Sequence, residues 1–295
     1  MSLEENSNIV WYVTGSSKGM GLCLVKKLLQ QGYKVAATTR DKDALWGQLN
    51  NDQPLTDDQV GSLLILNVDL TSDASVLQSI NDTVAKFKRI DNVVNNAGYG
   101  LFGPVEECSP EACDKLFKVN VHGPLNVVRN VLPVLRSNKD SKYRPRIYNI
   151  SSMVGFYPSF AGTAIYATSK FALNGLSQAM STELEPLGIF VTSVLPGQFR
   201  TNFLQQDSGV YAETKIEDYK STIDSLKERH KKMNGLQPGD PDKAMQILIE
   251  LSKDPNPPRF LPLGKDSVEV IEKQIATNQN DIDRLRSIIT DTDFK

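Results

Sequence analysis

Apolar residues follow two spacings along this chain, and each change of spacing marks a predicted strand or helix. Residues 9–14, IVWYVT, form a continuous β-prone run, which is typical of a central strand covered on both faces. Apolar positions at helical spacing then run from residue 22 to residue 29, and Gly32 ends that helix. Further strands are predicted at Lys34–Thr39, 62–68, 90–95, Arg146–Ile150 and 189–195, and further helices at 71–87, 109–136, 164–180 and 241–253.

This alternation of strand and helix predicts an α/β fold with a mostly parallel, doubly wound sheet in one domain, residues 1–264. Residues 50–61 are polar and indicate a loop or short helix, while the prolines of 258–264 favour an edge strand. Residues 202–237 follow a strand's carboxyl end and are polar, which predicts either a helical lid over the substrate or a pair of solvated surface helices.

The last residues, 265–295, are predicted to form a C-terminal helical extension packed on the same domain. Their apolar positions indicate an amphipathic helix or two between residues 266 and 290. The expected inner side comprises Val268, Val270, Ile271, Ile275, Ile282 and Leu285.

A glycine-rich turn, GSSKGMG, joins the first strand to the first helix. Gly15 permits a tight turn, Gly19 lets the backbone approach a pyrophosphate, and Gly21 lets the helix pack closely on the sheet. The helix N-terminus offers free N–H groups and a positive dipole end to phosphates. In this strand–turn–helix setting the motif predicts a nucleotide-binding Rossmann fold.

The end of the second strand indicates which dinucleotide binds. A carboxylate usually meets a free ribose 2′-hydroxyl here, whereas a basic group meets a 2′-phosphate. Thr39 occupies the acidic place, Arg40 follows it, and Lys18 adds a second positive charge. NADP(H) is therefore favoured over NAD(H). The alternative is that Arg40 is a solvated loop residue beside Asp41.

Tyr166 and Lys170 form the candidate catalytic pair. Four residues apart on a helix, they lie on one face. An ammonium beside a phenol favours the phenolate and lowers the pKa of the tyrosine, which can then exchange a proton near neutral pH. The strand Arg146–Ile150 ends upstream and brings a hydroxyl, Ser152 or its neighbour Ser151, to its carboxyl end. The alternative is an ordinary exposed helix pair.

Taken together, these motifs resemble the short-chain dehydrogenase/reductase family. Residues 14–21 are similar to its TGxxxGxG loop, residues 95–98 to its NNAG strand end, and residues 196–201 to its PGxxxT segment. Asn120, Ser152, Tyr166 and Lys170 are similar to its catalytic tetrad. The thirteen residues between Ser152 and Tyr166 are one more than is usual, which an insertion in the FYPSFAG loop explains.

The resemblance implies a mechanism in which hydride passes between NADP(H) and a carbonyl carbon while Tyr166 donates or removes the proton. Ser152 stabilises the developing alkoxide, Lys170 tunes Tyr166 and holds the nicotinamide ribose, and Asn120 supports a water beside Lys170. The implied cofactor residues are Gly15, Ser17, Lys18, Gly19, Met20, Gly21, Thr39, Arg40, Asp69, Leu70, Asn96, Ala97, Gly98, Tyr166, Lys170, Pro196, Gly197 and Thr201. The family also implies a homo-oligomer, a dimer or tetramer.

The composition of the chain mainly argues against certain classes of function. A net charge of −2 gives no indication of a nucleic-acid surface. The polar start lacks an apolar signal region, and no window is long enough for a membrane span. Three cysteines and two histidines show no metal-ligand spacing, so we expect free thiols, no metal site and a cytoplasmic location.

The substrate is expected to be a small, apolar carbonyl compound or alcohol, such as a steroid, retinoid or xenobiotic ketone. Nine aromatic or apolar residues are candidates for its pocket, although each has plain core packing as its alternative. They are Tyr99, Leu101, Phe102, Met153, Phe156, Tyr157, Phe160, Phe199 and Phe203. A second hypothesis for the protein is a cofactor-sensing regulator that keeps the fold without turnover.

Overall fold

The structure, a computed structural model, describes residues 6–51, 53–138, 143–158, 160–205, 208–213 and 215–294. Its strands are β1 (Val10–Val13), β2 (Lys34–Thr39), β3 (Leu63–Asn67), β4 (Asn92–Asn95), β5 (Gly100–Phe102), β6 (Arg146–Ile150), β7 (Phe190–Pro196), β8 (Gly209–Tyr211) and β9 (Phe260–Leu263). Its α-helices are α1 (Gly19–Gln30), α2 (Lys42–Asn50), α3 (Asp57–Gly61), α4 (Asp73–Phe87), α5 (Pro110–Phe117), α6 (Gly123–Ser137), α7 (Ala164–Leu184), α8 (Glu217–Met233), α9 (Pro241–Leu251) and α10 (Lys265–Ile289).

Seven strands form one parallel sheet in the order β3-β2-β1-β4-β6-β7-β9, which confirms the predicted doubly wound α/β fold. Trp11 of β1 is in register with Val35 of β2 on one side and with Asn92 of β4 on the other. The chain reverses its direction across the sheet between β1 and β4. Their carboxyl ends therefore open a crevice, which is the usual ligand site of such sheets.

Alternate residues of the central strands bury against different helix layers. Trp11 and Val13 belong to the core under α1 and α9, whereas Tyr12 between them belongs to the core under α4, α6 and α7. Because both of its faces are covered, β1 is apolar throughout, as the uninterrupted apolar run of residues 9–14 predicts. The proline-containing β9 lies at the sheet edge, as predicted.

The predicted continuous helix over 109–136 is wrong. It is divided into α5 and α6 by a π-helical turn, Lys118–His122. Pro124 follows this turn and has no N–H to donate, while the N–H of Gly123 bonds to the carbonyl of Lys118. The wider turn displaces Asn120 from the helical register and aims it into the protein.

The segment predicted as a lid or as two surface helices contains a strand and one α-helix. Strand β8 pairs in parallel with β5 to form a second, two-stranded sheet. Glu107 caps the start of α8, accepting hydrogen bonds from the backbone N–H groups of Lys215 (2.5 Å) and Ile216 (2.6 Å). Ile223 and Leu226 are buried, so α8 packs on the domain. Residues 206, 207 and 214 of this segment lie outside the described residues.

The predicted inner side of the C-terminal helix is wrong at three of its six positions, while Ile271 is buried and Val270 and Leu285 are half-buried. Helix α10 buries Ser267 and Ile271, but Val268, Ile275 and Ile282 are 39%, 54% and 43% exposed. The helix begins against the edge strand β9 and the turn Met153–Gly155. Farther along, Gln274 and Asn278 border a groove shared with Phe171 of α7. The apolar stripe of α10 is therefore covered mainly near its start, and most described residues after Ile275 are exposed.

Neither a membrane-spanning helix nor a cluster of metal ligands occurs among the described residues. No helix among them is both long and apolar enough to cross a bilayer. No three of their histidine, cysteine, aspartate or glutamate side chains are grouped as metal ligands would be. The three cysteines are free thiols, as expected.

Candidate active site

The glycine turn after β1 is held directly against the end of β4. Gly15 and Gly19 have φ angles of +67° and +57°, a backbone region that suits glycine. A Cβ on Gly15 would lie 2.8 Å from the Cα of Ala97, so the close approach of the two segments also needs glycine. Gly21 does not border the cleft; it lies under the carbonyl of Gly15, where a side chain would prevent α1 from packing.

Two polar side chains hold this turn in place. The Thr14 hydroxyl oxygen accepts hydrogen bonds from the N–H groups of Asn96 (3.0 Å) and Ala97 (3.1 Å). The Asn96 amide donates to the carbonyls of Thr14 and Gly15, each at 3.0 Å. Thr14 is thus a positioning residue. The sequence indicated only that it belongs to the glycine-rich motif, because the spacing of the motif does not show that Thr14 is buried between β1 and β4.

Two cations that form no ion pair among the described residues border the cleft, one in the glycine turn and one just after β2. These cations are Lys18 and Arg40. Asp41 does not pair with Arg40, because its carboxylate caps α2 by accepting a hydrogen bond from the N–H of Ala44 (2.9 Å). Thr39 is turned inward and bonds to the backbone of Asp41. The positive charge beside the cleft is therefore available to a ligand.

Tyr166 lies on α7, near the floor of the cleft, and is 7% exposed. Its ring packs edge-on against Phe102 (centroids 5.9 Å apart) and in a tilted arrangement against Phe203 (5.7 Å). Burial raises the pKa of Tyr166, and its hydrogen bond with the Ser152 side chain acts in the opposite direction. The expected lowering of this pKa is wrong for the structure, since desolvation of the phenolate is the larger effect.

Lys170 is also buried, at 4% exposed, and its ammonium lies 6.0 Å from the centre of the Tyr166 ring. The ammonium donates a hydrogen bond to the carbonyl of Ile150 (2.8 Å), the last residue of β6. Burial lowers the pKa of Lys170 to about 8. The Lys170 side chain is therefore anchored to β6 by a hydrogen bond, and its charge changes near pH 8.

The structure distinguishes the two candidate serines. The Ser151 hydroxyl donates to the carbonyl of Lys170 (2.9 Å) and so links β6 to α7. Ser152 begins the short turn Met153–Gly155, where its hydroxyl accepts from the N–H of Val154 (3.3 Å) and remains beside Tyr166. Ser152 is thus the hydroxyl available to a ligand. Residue 159 of the FYPSFAG loop lies outside the described residues.

Asn120 is fully buried and does not border the cleft. Its carboxamide pairs with the backbone of Tyr99, accepting from the N–H (3.1 Å) and donating to the carbonyl (2.9 Å), and it also donates to Ser169 (3.1 Å). Its oxygen and the Lys170 ammonium flank Gly98, at 3.2 and 3.4 Å from where a Cβ would lie. Asn120 therefore joins the β4 end to α7 behind Lys170.

The segment after β7 closes the cleft from the other side. Pro196, Gly197 and Thr201 border it, and Thr201 lies close to Gly19 across the opening. The N–H of Gln198 donates to the carboxylate of Asp266 (2.7 Å), at the start of α10. Asp266 was missed from the sequence because it lies far along the chain from the residues that it holds.

One continuous cavity of about 450 Å³ runs from the glycine turn to the aromatic residues around Tyr166. Every predicted cofactor residue borders it except Gly21. Of the nine predicted substrate residues, three do not: Leu101 packs in a separate cluster with Cys108, Phe156 packs against Phe260 on the outside, and Tyr157 lies apart. The wall from α8, formed by Arg229, His230 and Met233, was missed because a polar helix carries no signal of what it covers.

A dinucleotide fits the glycine half of this cavity. The positive-φ glycines leave room for a pyrophosphate at the start of α1, and Arg40 with Lys18 suits an added phosphate. Asp69, which orients its carboxylate by accepting from the hydroxyl of Thr71 (2.7 Å), borders the cavity beyond β3.

Comparison with known proteins agrees with this geometry. A family model described as short chain dehydrogenase matches residues 9–210. An uncharacterized oxidoreductase of Schizosaccharomyces pombe is 35% identical over 264 residues, which cover 89% of this chain and 84% of the relative. A 3-ketodihydrosphingosine reductase of Bacteroides thetaiotaomicron is 31% identical over 254 residues, covering 85% and 86%.

Among solved structures, a short-chain dehydrogenase from Streptomyces avermitilis superposes with a TM-score of 0.83 at 29% identity, covering 97% of this chain and 99% of that one. The fold and the family therefore agree. The chain belongs to the short-chain dehydrogenase family, hydride-transferring oxidoreductases that bind a nicotinamide cofactor and act on small molecules.

Proposed function

We propose that the protein is an NADP(H)-dependent oxidoreductase that interconverts a ketone or aldehyde with an alcohol. The observation that carries the proposal is the meeting of Tyr166, Ser152 and Lys170 on the wall of one cavity, between the glycine turn and an aromatic chamber. The printed name of one relative, a 3-ketodihydrosphingosine reductase, supports a ketone as the oxidised substrate.

In this proposal Tyr166 is the general acid in reduction and the general base in oxidation. The raised pKa of Tyr166 keeps the phenol protonated at neutral pH, which suits delivery of a proton to a developing alkoxide. The Ser152 hydroxyl donates to the same oxygen and stabilises the charge that develops there. The Lys170 cation stabilises negative charge on the tyrosine oxygen when the proton leaves. The bound cofactor supplies or accepts the hydride.

NADP(H) is preferred over NAD(H) in the proposal because Lys18 and Arg40 have no ion pairs among the described residues, and because Asp41 is engaged as the cap of α2. An uncompensated guanidinium at the end of β2 suits the 2′-phosphate. Helix α8 forms the outer wall of the substrate chamber. The proposal therefore keeps one part of the predicted lid, namely a helix that covers the substrate.

The test is turnover of a panel of aryl and alkyl ketones with NADPH or NADH, comparing the wild type with Tyr166→Phe. We expect kcat to fall by about 10²- to 10⁴-fold in the variant, the usual contribution of a general acid, while cofactor affinity changes little. Tyr157→Phe is the matched control, since Tyr157 lies near in sequence but outside the cavity. Equal activity of the wild type and Tyr166→Phe would refute the proposed role. Equal inactivity of both, with NADPH still bound, would favour the cofactor-sensing regulator.

A further inference from the structure

Arg229 stands on the α8 wall of the substrate chamber. Its guanidinium carbon lies 3.5 Å from the centre of the Phe160 ring, so the guanidinium is stacked on an aromatic face. Phe160 in turn packs against the buried cluster that contains Tyr166, Met153 and Phe203. An aromatic and apolar surface therefore connects the guanidinium to the proposed proton donor.

No carboxylate among the described residues forms an ion pair with Arg229. Asp224 and Glu228 lie on the same helix and line a separate, shallow groove on its outer side, where Arg229 is also present. Glu228 pairs with Lys232 at 3.7 Å. The stacked guanidinium thus keeps its N–H groups available, because stacking uses the face of the group and leaves its edge free.

The charges along the cavity wall favour an anion. The described residues that border the cavity include the cations Lys18, Arg40, Lys115, Lys170 and Arg229, but only one carboxylate, Asp69, which follows β3 in the cofactor half. A cavity lined mainly by one sign of charge attracts ligands of the opposite sign.

Beside Arg229, the ring of His230 is fixed in the same wall. Its Nδ1 is hydrogen-bonded to the Tyr211 hydroxyl (2.6 Å), and its ring packs edge-on against Phe102 with the centroids 4.8 Å apart. Burial, with a further effect of the Arg229 charge, lowers the pKa of His230 below its ordinary 6.5. His230 is therefore neutral at pH 7, and Arg229 carries the positive charge of this wall.

We propose that Arg229 binds a carboxylate of the substrate, so that the substrate is an oxo acid, or the corresponding hydroxy acid, with an apolar segment between its carbonyl and its carboxylate. The proposal rests on the function proposed above, because it uses Tyr166 to locate the reacting carbonyl. A planar carboxylate matches the free edge of a guanidinium through two parallel hydrogen bonds. The apolar segment would lie along Phe160 and Phe203.

The experiment compares aryl ketones that carry a carboxylate on methylene spacers of increasing length with the methyl amide of each. Binding is measured first by calorimetry with saturating NADP⁺, so that the cations of the cofactor half are occupied, and kcat/KM is measured next. We expect one spacer length at which the acid exceeds its amide by roughly tenfold or more in both measurements, as for a charge-assisted pair. Arg229→Met is expected to bring the ratio of acid to amide close to one; the ratio is the readout because loss of the stack on Phe160 affects both compounds.

Two further variants make the test specific. Arg229→Lys keeps the positive charge but lacks the planar guanidinium that makes two parallel hydrogen bonds. We expect this variant to retain part of the preference for the acid that Arg229→Met loses. Lys231→Met removes the same charge from an exposed position of α8 and should leave the preference intact. Equal binding of acid and amide by the wild type, or an equal loss of both in Arg229→Met, would overturn the proposal.

The outcome also separates this proposal from the one on which it rests. Turnover of neutral ketones without preference for any acid would refute the role of Arg229 alone. Binding of the acids through Arg229 without turnover of any ketone would support the anion site and refute the proposed reaction.

Discussion

The two halves of the cavity are built in different ways. The cofactor half consists of backbone at the ends of β1, β2 and β4, with glycines at close approaches and Asn96 bonded to the turn. The substrate half consists of side chains from the two-stranded sheet and α8, among them Phe102 and His230, with Tyr211 packed behind both. The shape of the first half therefore depends on backbone positions, whereas the shape of the second depends on its side chains.

This difference predicts where variants act. Changes in the cofactor half should alter cofactor affinity and stability, because the backbone itself is displaced. Changes in the substrate half should alter KM for the substrate and leave cofactor binding intact. Lys170 lies where the halves meet and should affect both, whereas the hydroxyl removed in Tyr166→Phe should affect turnover and leave cofactor affinity nearly unchanged.

Gly15→Ala tests the cofactor half most severely. An alanine there would have to adopt a φ of +67°, and its Cβ would lie 2.8 Å from the Cα of Ala97. We expect the free energy of unfolding to fall by about 3 kcal/mol from backbone strain and overpacking, and the dissociation constant for NADPH to rise by at least roughly tenfold. Denaturant unfolding and cofactor titration measure the two effects. Gly47→Ala is the control, because nothing lies within 4 Å of that site in α2.

In Gly47→Ala we expect a gain of about 0.5–1 kcal/mol, the ordinary helix preference for alanine. If both alanines had the same small effect, the close approach between the glycine turn and β4 would not exist in solution.

Lys170→Met tests the burial of the lysine at the junction. The pKa of Lys170 is lowered from 10.5 to about 8 in the folded protein. Between these two pH values the unfolded chain binds the proton and the folded protein does not, so the free energy of unfolding rises with pH through this window. The wild type should therefore gain about 3 kcal/mol relative to Lys170→Met between pH 8 and pH 10.5.

The measurement is urea unfolding of both proteins at successive pH values. The raised pKa of Tyr166 keeps that residue protonated in the folded protein over the same window, so its own titration does not mimic the effect there. A difference that stays constant with pH would show that Lys170 is solvated.

Arg40→Asp tests cofactor choice within the cofactor half. Replacing the uncompensated guanidinium with a carboxylate removes the partner of a 2′-phosphate and adds repulsion. We expect the ratio of kcat/KM for NADPH to that for NADH to fall by roughly tenfold or more. Lys42→Asp, an equal change of charge at an exposed residue that does not border the cavity, is the control. An unchanged ratio would assign the selectivity to another residue.

Tyr211→Phe tests the substrate half with the smallest change. It removes the hydrogen bond to His230, and we expect a loss of about 1 kcal/mol of stability. The KM for the substrate should rise by a few-fold because the α8 wall is less well fixed, while the affinity for NADPH is unchanged. Tyr219→Phe, on α8, is the control. A change in cofactor affinity would contradict the separation of the two halves.

The cofactor half was predictable because its residues occur in short motifs whose spacing is tied to backbone geometry. The turn from Gly15 to Gly21 and the NNAG segment border or support the cleft as their order along the chain indicates. The substrate half was predicted only in part. Phe102 and Phe203 border the chamber, but Phe156 faces outward, since an aromatic residue in a loop packs equally well against either side.

The sequence by itself determined the seven strands of the main sheet, the glycine turn and the spacing of the Tyr166–Lys170 pair, because these depend on residues close together in the chain. Only the tertiary structure decided which groups become buried. It brought α8 with Arg229 over the chamber, left most of α10 exposed, and raised rather than lowered the pKa of Tyr166. The physical reason is that burial, and the desolvation that follows from it, is a property of distant segments packed together.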